Sequence, residues 1–503
     1  MTNDDNVNLA SIIAETADSE VALIDGSTRI SYGELRDRVA RTAGSLIEAG
    51  LAPGDRVVVL AGNEPAFVVG LLGAWHAGLA AVLINHQEPV PQLEQYLSSI
   101  ETQAILASAT QQSVEAAQAL AAAGHGSRFV ATPALCGGGD LPECNGPAVP
   151  MASRRADDHA LFIFTSGVSG LPRPAVLTHG NLGATHAGLA ARAETQLSTA
   201  SVSLGALPMV HILGLNVAVL STLRNGGTTV LQNHWSAEQA MSLIGEHGID
   251  TLVLVPAMWS DLASVAGASP SSVERVKLAR CGAATLTPAV AEQVHAVLGI
   301  DLAQGYGLTE TAGTVTFEPN ARLRPGSVGT ALDSVEIRII DADGEVDAEP
   351  GDPGEIWVRG DCVFGGYWGE PELNAELFSA DGWYRTGDIG VFDDRLYLVG
   401  RQKDMISVSG FKISPVEVEL TLEGHESVSG ALVVGEADDR TGERVVAYVV
   451  AETGVVVEAS TLQDHVRASL ARYKVPKAVY VVEELPANVI GKRIRRGLVI
   501  PTA

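Results

Sequence analysis

The stretch LFIFTSGVSGLPRPAVLTH, residues 161–179, joins an apolar run to a loop of small and hydroxylated residues. The run predicts a buried strand that ends at Phe164. The residues that follow are small or carry hydroxyls: Thr165, Ser166, Gly167, Ser169 and Gly170. Small residues let backbone N–H groups approach phosphate oxygens, and hydroxyls add donors. No Gly-x-x-x-x-Gly-Lys-Ser/Thr pattern is present, so the loop is not a Walker A loop. Taken alone, it fits a phosphate cradle or a simple turn after a strand.

Apolar strands and amphipathic helices alternate on both sides of this stretch. Ser31 and Glu34 match a capping box, and apolar residues with helical spacing follow them. Residues 56–62, 251–256 and 276–282 are further apolar strands. Alternation of this kind predicts a layered α/β domain with parallel strands.

The sequence pattern changes twice toward the C-terminus. From about residue 325, short strands joined by Asp/Gly turns predict a β-rich segment. After Gly400, a capping box at Ser414 and Glu417 begins a compact α+β unit of about a hundred residues. The predicted fold class is therefore α/β: a large N-terminal part of several subdomains with a β-rich segment, followed by a small α+β domain.

Composition excludes several classes of function. The 503 residues include 33 basic and 60 acidic side chains, a formal net charge of −27, which disfavours binding to nucleic acid and to anionic membranes. Four cysteines without a CxxC pair, and a polar N-terminus unlike a signal peptide, favour a reducing, cytoplasmic location. Residues 65–84 and 204–223 are long and uncharged, but glycines interrupt them. Each is therefore expected to be a buried helix running into a buried strand rather than a membrane span.

Two downstream motifs carry groups suited to a nucleotide. In QGYGLTET (304–311), glycines flank Tyr306 and leave its ring open to a base, while Thr309 and Glu310 suit a Mg²⁺ ion that carries phosphates. In DGWYRTGDIG (381–390), Asp388 is expected near the start of a strand, where a carboxylate can accept both hydroxyls of a ribose diol. Each motif alone is also compatible with a plain turn.

Two basic motifs stand out in this acidic chain. Arg401, Lys403 and Lys412 cluster where the sequence pattern changes after Gly400, as expected of an interdomain hinge. Near the C-terminus, Lys492 lies in an irregular stretch beside Arg493, Arg495 and Arg496. That stretch is either a solvated basic tail or a mobile lysine delivered to an active site.

The five motifs in this order resemble the adenylate-forming superfamily of acyl-CoA synthetases, luciferases and adenylation domains, over nearly the whole chain. The resemblance implies that a carboxylic acid attacks the α-phosphate of ATP to give an acyl-adenylate and pyrophosphate. A thiol, usually of coenzyme A, then displaces AMP. It also implies a large domain over residues 1–402 and a mobile lid over 403–503, which rotates between the two half-reactions.

Site residues are carried over position by position. The resemblance assigns the phosphate loop to Thr165, Ser166, Gly167, Ser169, Gly170 and Arg173. It places Tyr306, with Gly307 beside it, against adenine; Thr309 on phosphate; Glu310 on Mg²⁺; and Asp388 and Arg401 on the ribose. It also implies Lys403 as the hinge, Gly410 beside the pantetheine channel, Lys492 as the adenylation lysine, His211 beside the acyl carboxylate, and Gly282, Ala283 and Ala284 in the wall shared by adenine and acyl group.

The departures from the family pattern fall almost entirely in the first loop. Val168 stands where the family usually has a hydroxyl residue, and Arg173 stands where it usually has lysine. Pro174 stands where the family often has glycine. Arg173 keeps the charge and adds a planar fork that suits phosphate. Pro174 biases Arg173 toward extended geometry, so the arginine is expected on a stiff tether.

The leading hypothesis is an AMP-forming acyl-CoA synthetase that uses ATP, Mg²⁺ and coenzyme A. The small, aliphatic segments around His211 and Ala283 favour an apolar acid, a fatty acid first and an aromatic acid second. A ligase that loads an acyl carrier protein, and a non-catalytic nucleotide- or acyl-binding protein, are the alternatives. The sequence does not indicate an oligomeric state.

Overall fold

Parallel strands and covering helices build the first part of the chain, as the alternating pattern predicts. The computed structural model describes residues 7–134, 141–166, 172–266, 273–341, 346–408, 411–438, 441–487 and 495. Strands of the first part are β1 (Val21–Asp25), β2 (Thr28–Ser31), β3 (Arg56–Leu60), β4 (Ala80–Leu83), β5 (Ala104–Ala107), β6 (Phe129–Ala131), β7 (His159–Ser166), β8 (Pro172–Thr178), β9 (Val202–Gly205), β10 (Thr228–Leu231), β11 (Thr251–Leu254), β12 (Leu278–Cys281) and β13 (Ala303–Gln304).

The helices of this part mostly connect neighbouring strands. They are α1 (Tyr32–Glu48), α2 (Pro65–His76), α3 (Val90–Leu97), α4 (Gln111–Ala122), α5 (His179–Ala190), α6 (Ser221–Arg224), α7 (Ala237–His247), α8 (Pro256–Ala266) and α9 (Pro288–Leu298), with a π-helix over Leu213–Leu220.

Two sheets organise these elements within the described residues. One has the order β6-β5-β3-β4-β7-β8 and the other β13-β12-β11-β9-β10-β1-β2. Neighbours are parallel except at one edge of each sheet, where β8 pairs antiparallel with β7 and β2 with β1. Buried Asn63, just after β3, donates to the carbonyl oxygens of Leu207 at 2.8 Å and Gly205 at 3.2 Å. These bonds tie the two sheets together near the carboxyl ends of their strands, where α/β folds hold ligands.

A β-rich segment follows, as expected from the Asp/Gly turns. Its strands are β14 (Gly307–Leu308), β15 (Gly313–Thr314), β16 (Thr316–Phe317), β17 (Ser327–Ala331), β18 (Val335–Ile340), β19 (Pro353–Gly360), β20 (Tyr384–Phe392) and β21 (Leu396–Arg401), with α10 (Pro371–Leu377). β14 and β15 form a separate pair, and the other six form one sheet, β16-β17-β21-β20-β19-β18, with antiparallel neighbours.

The last part has a sheet and a hydrophobic core of its own. Its elements are β22 (Ile406–Val408), β23 (Phe411–Ile413), α11 (Pro415–Glu423), β24 (Val428–Asp438), β25 (Gly442–Ala451), α12 (Ala459–Ser469) and β26 (Ala478–Val481). Val418 and Leu422 of α11 pack with Val433 and Val466 in that core. The α/β fold with a smaller C-terminal domain is therefore confirmed; the boundary between residues 402 and 403 stays a prediction.

Local predictions agree with the structure in some places and fail in others. The capping box at Ser31 and Glu34 is complete, and residues 65–84 form α2 and then β4. Residues 204–223 have the opposite order from the one expected, with a strand first and a π-helix after it. Asp388 lies in the middle of β20 rather than at its start.

The second predicted capping box is only half formed. The Ser414 hydroxyl accepts the Glu417 N–H at 3.3 Å. The Glu417 carboxylate instead pairs with Lys474, at 2.6 and 2.7 Å, because a cation in the same domain offers a stronger partner than a backbone N–H.

No helix in the described ranges is both long enough and apolar enough to cross a membrane. Cys144, Cys281 and Cys362 are buried free thiols, while Cys136 lies outside the described residues.

Two buried histidines are held in the neutral form. His186 donates from Nε2 to the carbonyl of Asn216 at 3.0 Å, so its Nδ1 carries the lone pair and has no partner among the described residues. His179 uses Nδ1 to accept the Leu9 N–H at 3.2 Å. Burial lowers the pKa of each to about 4, because the charged imidazolium would lose its contact with water.

These histidines make the fold sensitive to acid. Between pH 6.5 and about 4 the unfolded chain binds a proton that folded His186 refuses, so stability falls as the pH falls. Replacing His186 with Gln should remove roughly 1 kcal/mol per pH unit from the slope of unfolding free energy against pH in that window. Chemical unfolding followed across the window measures the slope. Exposed His234→Gln is the control, and equal slopes in wild type and His186→Gln would contradict the account.

Candidate active site

A cleft of about 1580 Å³ opens where the two α/β sheets, the β-rich sheet and the C-terminal domain meet. It is lined by Phe164 and Thr165 near the carboxyl end of β7 and by the segments that follow β12 and β13. Most described residues of the predicted site line it: Thr165, Arg173, His211, Gly282, Ala283, Tyr306, Gly307, Thr309, Glu310, Arg401 and Lys403. The sequence motifs, far apart along the chain, therefore converge on one cavity.

Other predicted residues lie elsewhere or outside the description. Asp388 is buried directly behind the wall made by Tyr306 and Arg401, and Ala284 is half-buried next to the lining residue Ala283. Ser166 is described only by its backbone, which pairs with Pro172. Residues outside the described part of the chain are Gly167, Ser169, Gly170, Gly410 and Lys492.

Asp388 lies at the centre of the group predicted to hold the ribose. The Tyr306 hydroxyl donates to its Oδ2 at 2.7 Å, and Arg401 Nε lies 3.1 Å from its Oδ1. Asp388 and Arg401 face each other because they are paired in the register of β20 and β21. Burial and then the Asp388 charge raise the pKa of Tyr306, so the phenol keeps the proton that it donates. Both carboxylate oxygens are thus already engaged.

A second acidic group occupies the phosphate side. The Tyr367 hydroxyl donates to Glu310 Oε1, and burial followed by the Glu310 charge raises the pKa of that phenol. Arg173 Nε lies 3.2 Å from Glu370 Oε1. The described residues contain no group of three or more His, Cys, Asp or Glu that could hold a metal alone, so Glu310 could hold Mg²⁺ only together with phosphate or water oxygens.

Main-chain pairing positions Tyr367 and Glu370 against β8. Tyr367 is bridged to Ala175, and the Trp368 N–H donates to the Pro174 carbonyl at 2.9 Å. Pro174, which has no N–H of its own, therefore still fixes the neighbouring segment through its carbonyl. Arg173 is extended in β8, as expected for a residue before proline.

The segment predicted to face the acyl group follows β12. Ala283 adopts φ 63°, an uncommon left-handed conformation for a non-glycine residue, and turns the chain into the cleft after β12. A Cβ on Gly307 would lie 1.7 Å from the Gly313 carbonyl oxygen, so only glycine fits beside Tyr306. Burial lowers the pKa of His211, which keeps its imidazole neutral near neutral pH.

Two protein-family models match this chain. Residues 12–368 match the model of the AMP-binding enzyme family, and residues 417–492 match that of the AMP-binding enzyme C-terminal domain. The chain belongs to the adenylate-forming enzyme family. It is similar to the feruloyl-CoA synthase of Amycolatopsis sp., with 34% identity over 94% of both chains. It also resembles the fatty acid–[acyl-carrier-protein] ligase ScoC of Streptomyces coeruleorubidus, with 32% identity over 95% of this chain and 92% of that one.

The solved structures agree with this family. ATP-bound MatB from Rhodopseudomonas palustris superposes with a TM-score of 0.88, at 28% identity over 97% of both chains. This adenylate-forming enzyme is accordingly an AMP-forming acid–thiol ligase, and enzymes of the family use ATP and coenzyme A.

Several residues in or beside the cleft of this adenylate-forming enzyme were not predicted from the sequence. Tyr367 lines the cleft from a segment without a motif, which also carries Glu370, the partner of Arg173. Lys474 and Glu417 line the cleft from the C-terminal domain. Arg280 is a buried cation in the acyl wall. Its signal in the sequence was a lone arginine inside the apolar strand VKLARCG, a position where a charge needs an explanation.

The Asp388 pairings give a test of its predicted role toward ribose. Asp388→Asn should raise the ATP dissociation constant about 10- to 100-fold, because charge-assisted hydrogen bonds to two hydroxyls are lost. Tyr306→Phe should change it less than about threefold, because it keeps the ring and frees Oδ2 for the ligand. Calorimetric titration with ATP measures both constants. Asp394→Asn, at the exposed tip of the same hairpin, is the control. Equal losses in the Tyr306 and Asp388 variants would refute the ribose assignment.

Proposed function

We propose that the protein activates a carboxylic acid with ATP to an acyl-adenylate and transfers the acyl group to coenzyme A, releasing AMP and pyrophosphate. The observation that carries this proposal is the convergence on one cleft of the Tyr306–Asp388–Arg401 group, Glu310 and the Gly282–Ala283 wall. A ribose, a phosphate-bound cation and an acyl group require three such neighbouring surfaces.

The chain's own groups fit the charge changes of the first step. A carboxylate oxygen attacks the α-phosphorus and the bond to the pyrophosphate oxygen breaks, so negative charge grows on the phosphate oxygens. Arg173 at the cleft and Lys492, predicted from the sequence, would neutralise that charge. Mg²⁺ held by Glu310 would supply Lewis acidity at the phosphates. Neutral His211 offers a hydrogen bond beside the acyl carboxylate without adding a fixed charge.

The second step needs a different wall of the cleft. The thiol sulfur attacks the acyl carbon and loses its proton, the bond between that carbon and the bridging phosphate oxygen breaks, and AMP leaves. We propose that residues 403–503 form the lid whose rotation exchanges the two walls, with Lys403 at the hinge. Support comes from the last strand of the β-rich sheet ending at Arg401 and the next sheet starting at Ile406, with a single short turn between them.

For the acid, we place an aromatic acid ahead of a fatty acid. Gly282, Ala283 and Phe317 line the cleft with small or flat surfaces, and Arg280 lies in the same wall. A plain alkyl chain would leave that buried cation beside hydrocarbon, which is costly. A linear fatty acid is the second candidate, and loading of a carrier protein, the activity named for the Streptomyces coeruleorubidus relative, is the alternative to coenzyme A. A cytoplasmic location remains a prediction from the sequence.

One reaction series tests the function. Purified protein with ATP, Mg²⁺, coenzyme A and single acids from aromatic and aliphatic panels should release pyrophosphate and yield the acyl-CoA thioester, measured by a coupled assay and mass spectrometry. Lys492→Ala should stop adenylate formation yet spare thioester formation from supplied acyl-adenylate. A holo carrier protein replaces coenzyme A in a parallel arm. A protein that exchanges no labelled pyrophosphate into ATP with any acid would be a binder, not this enzyme.

The ion pair of Arg173 generates a separate prediction. Arg173 must leave Glu370 to face a phosphate, so the two partners compete for one guanidinium. Arg173→Ala should lower kcat/KM for ATP about 10- to 100-fold, whereas Glu370→Gln should lower the KM for ATP or leave it unchanged. Steady-state kinetics with varied ATP measures both variants.

Two controls accompany this test. Arg41→Ala removes an exposed helical ion pair and should leave the kinetics unchanged. Arg173→Lys separates charge from planar shape. If Arg173→Ala had wild-type ATP kinetics, the arginine would have no role at the phosphates.

A further inference from the structure

Arg280 is a buried cation that the fold leaves only partly satisfied. It lies in β12 with 7% of its surface exposed. Its Nη2 donates to the Thr195 carbonyl at 3.2 Å, and its guanidinium carbon lies 5.7 Å from the centre of the Phe317 ring. Its Nε–H has no partner among the described residues.

No carboxylate of the described residues forms an ion pair with Arg280, although acidic side chains outnumber basic ones across the chain. Burial lowers its pKa to about 10, so the guanidinium stays charged at neutral pH. A buried charge with one carbonyl partner and one ring is expensive unless something else supplies a counter-group. The Thr195 carbonyl and the Phe317 ring alone do not meet that need.

Arg280 lines the cleft from β12. It does so together with Val253, its partner in the β11–β12 register, and with Val217 of the π-helix. Arg280 and its hydrogen-bond partner Thr195 also line a second cavity of about 200 Å³, so Arg280 borders both cavities. Ala283 is the third residue after Arg280, and β12 ends between them at Cys281. Arg280 therefore lies deeper in the sheet than the turn where adenine and acyl group are proposed to meet.

We propose that Arg280 is a specificity-determining residue that binds an acceptor oxygen at the end of the acid remote from the reacting carboxylate. The inference rests on the proposed function, since it assumes that the Gly282–Ala283 wall holds the acid. Either a second carboxylate or a phenolic hydroxyl supplies that oxygen. The planar fork of arginine suits the first, and a single donated hydrogen bond suits the second.

A series of three acids on one frame separates these cases. The acids are 3-phenylpropanoate and its 4-hydroxy and 4-carboxy derivatives, which differ only in the group at the far end. With wild type, kcat/KM for at least one oxygen-bearing acid should exceed that for the unsubstituted acid by about tenfold or more, because the apolar acid leaves a buried donor unpaired. Preference for the 4-carboxy acid identifies a dianionic substrate class; preference for the 4-hydroxy acid identifies a phenolic one.

Substitutions tie that preference to Arg280. In Arg280→Met, which keeps the apolar bulk, the ratio of kcat/KM for the preferred oxygen-bearing acid to kcat/KM for the unsubstituted acid should fall to within about twofold of one. The KM for ATP should stay within about threefold of wild type. Arg280→Lys should retain part of the preference for the carboxylate. Arg192→Met is the matched control: Arg192 also donates to a neighbouring strand and has an unpaired Nε, but it does not line the cleft.

Two results would contradict the role of Arg280. An unchanged ratio in Arg280→Met, or a wild-type preference for the unsubstituted acid, overturns the assignment and leaves Arg280 with a structural role only. The wild-type series alone decides the matter if no Arg280 variant folds. If wild type releases pyrophosphate with none of the acids tested, the proposed function itself fails, and this result is seen before any variant is compared.

Discussion

The buried carboxylate of Asp388 is the point on which the cleft depends. It accepts from Tyr306, which follows β13 of an α/β sheet, and from Arg401, the last residue of the β-rich sheet. A charge at this depth is stable only when both oxygens are paired, so the three residues hold two subdomains in a fixed relation. Arg401 is also followed directly by the turn that leads into the C-terminal domain. The same ion pair therefore anchors the root of the proposed lid.

Much of this arrangement follows from sequence pattern. Apolar runs and helical spacings predicted the strands and helices. Parallel strands bring their carboxyl ends to one edge of a sheet, which places the segments after Cys281 and Gln304 together; β7 belongs to the other sheet, so its approach to them depends on how the two sheets pack. The motif around Tyr306 and the carboxylate of Asp388 were found because both sit in glycine-containing segments. The predicted roles of these residues remain predictions, and Lys492 and Gly410 lie outside the described residues.

The remainder depended on tertiary contacts that no local pattern encodes. Tyr367 reaches the cleft, and Glu370 reaches Arg173, because their segment pairs with β8, a contact across nearly two hundred residues of chain. Glu417 matched a capping box locally, but Lys474 competes for its carboxylate in the folded domain. In residues 204–223, uniform hydrophobicity predicted burial and gave no period to distinguish helix from strand, so their order was predicted wrongly. Arg280 differs again, because its place inside an apolar strand is visible in the sequence, whereas the unpaired Nε that the described residues leave it is visible only in the fold.

The altered phosphate loop illustrates how the acidic chain accommodates an anionic ligand. Arg173 is extended between two prolines, and the Pro174 carbonyl anchors the strand to Trp368. Such a backbone has little freedom, so only the side chain can move between partners. Glu370 holds that side chain at the edge of the cleft, partly exposed, where an ion pair is weak. A triphosphate carries more charge than one carboxylate and has oxygens in several directions, so it competes well for the guanidinium. Under the proposed function, the stiff strand and the weak ion pair keep Arg173 close to the place where the triphosphate would bind.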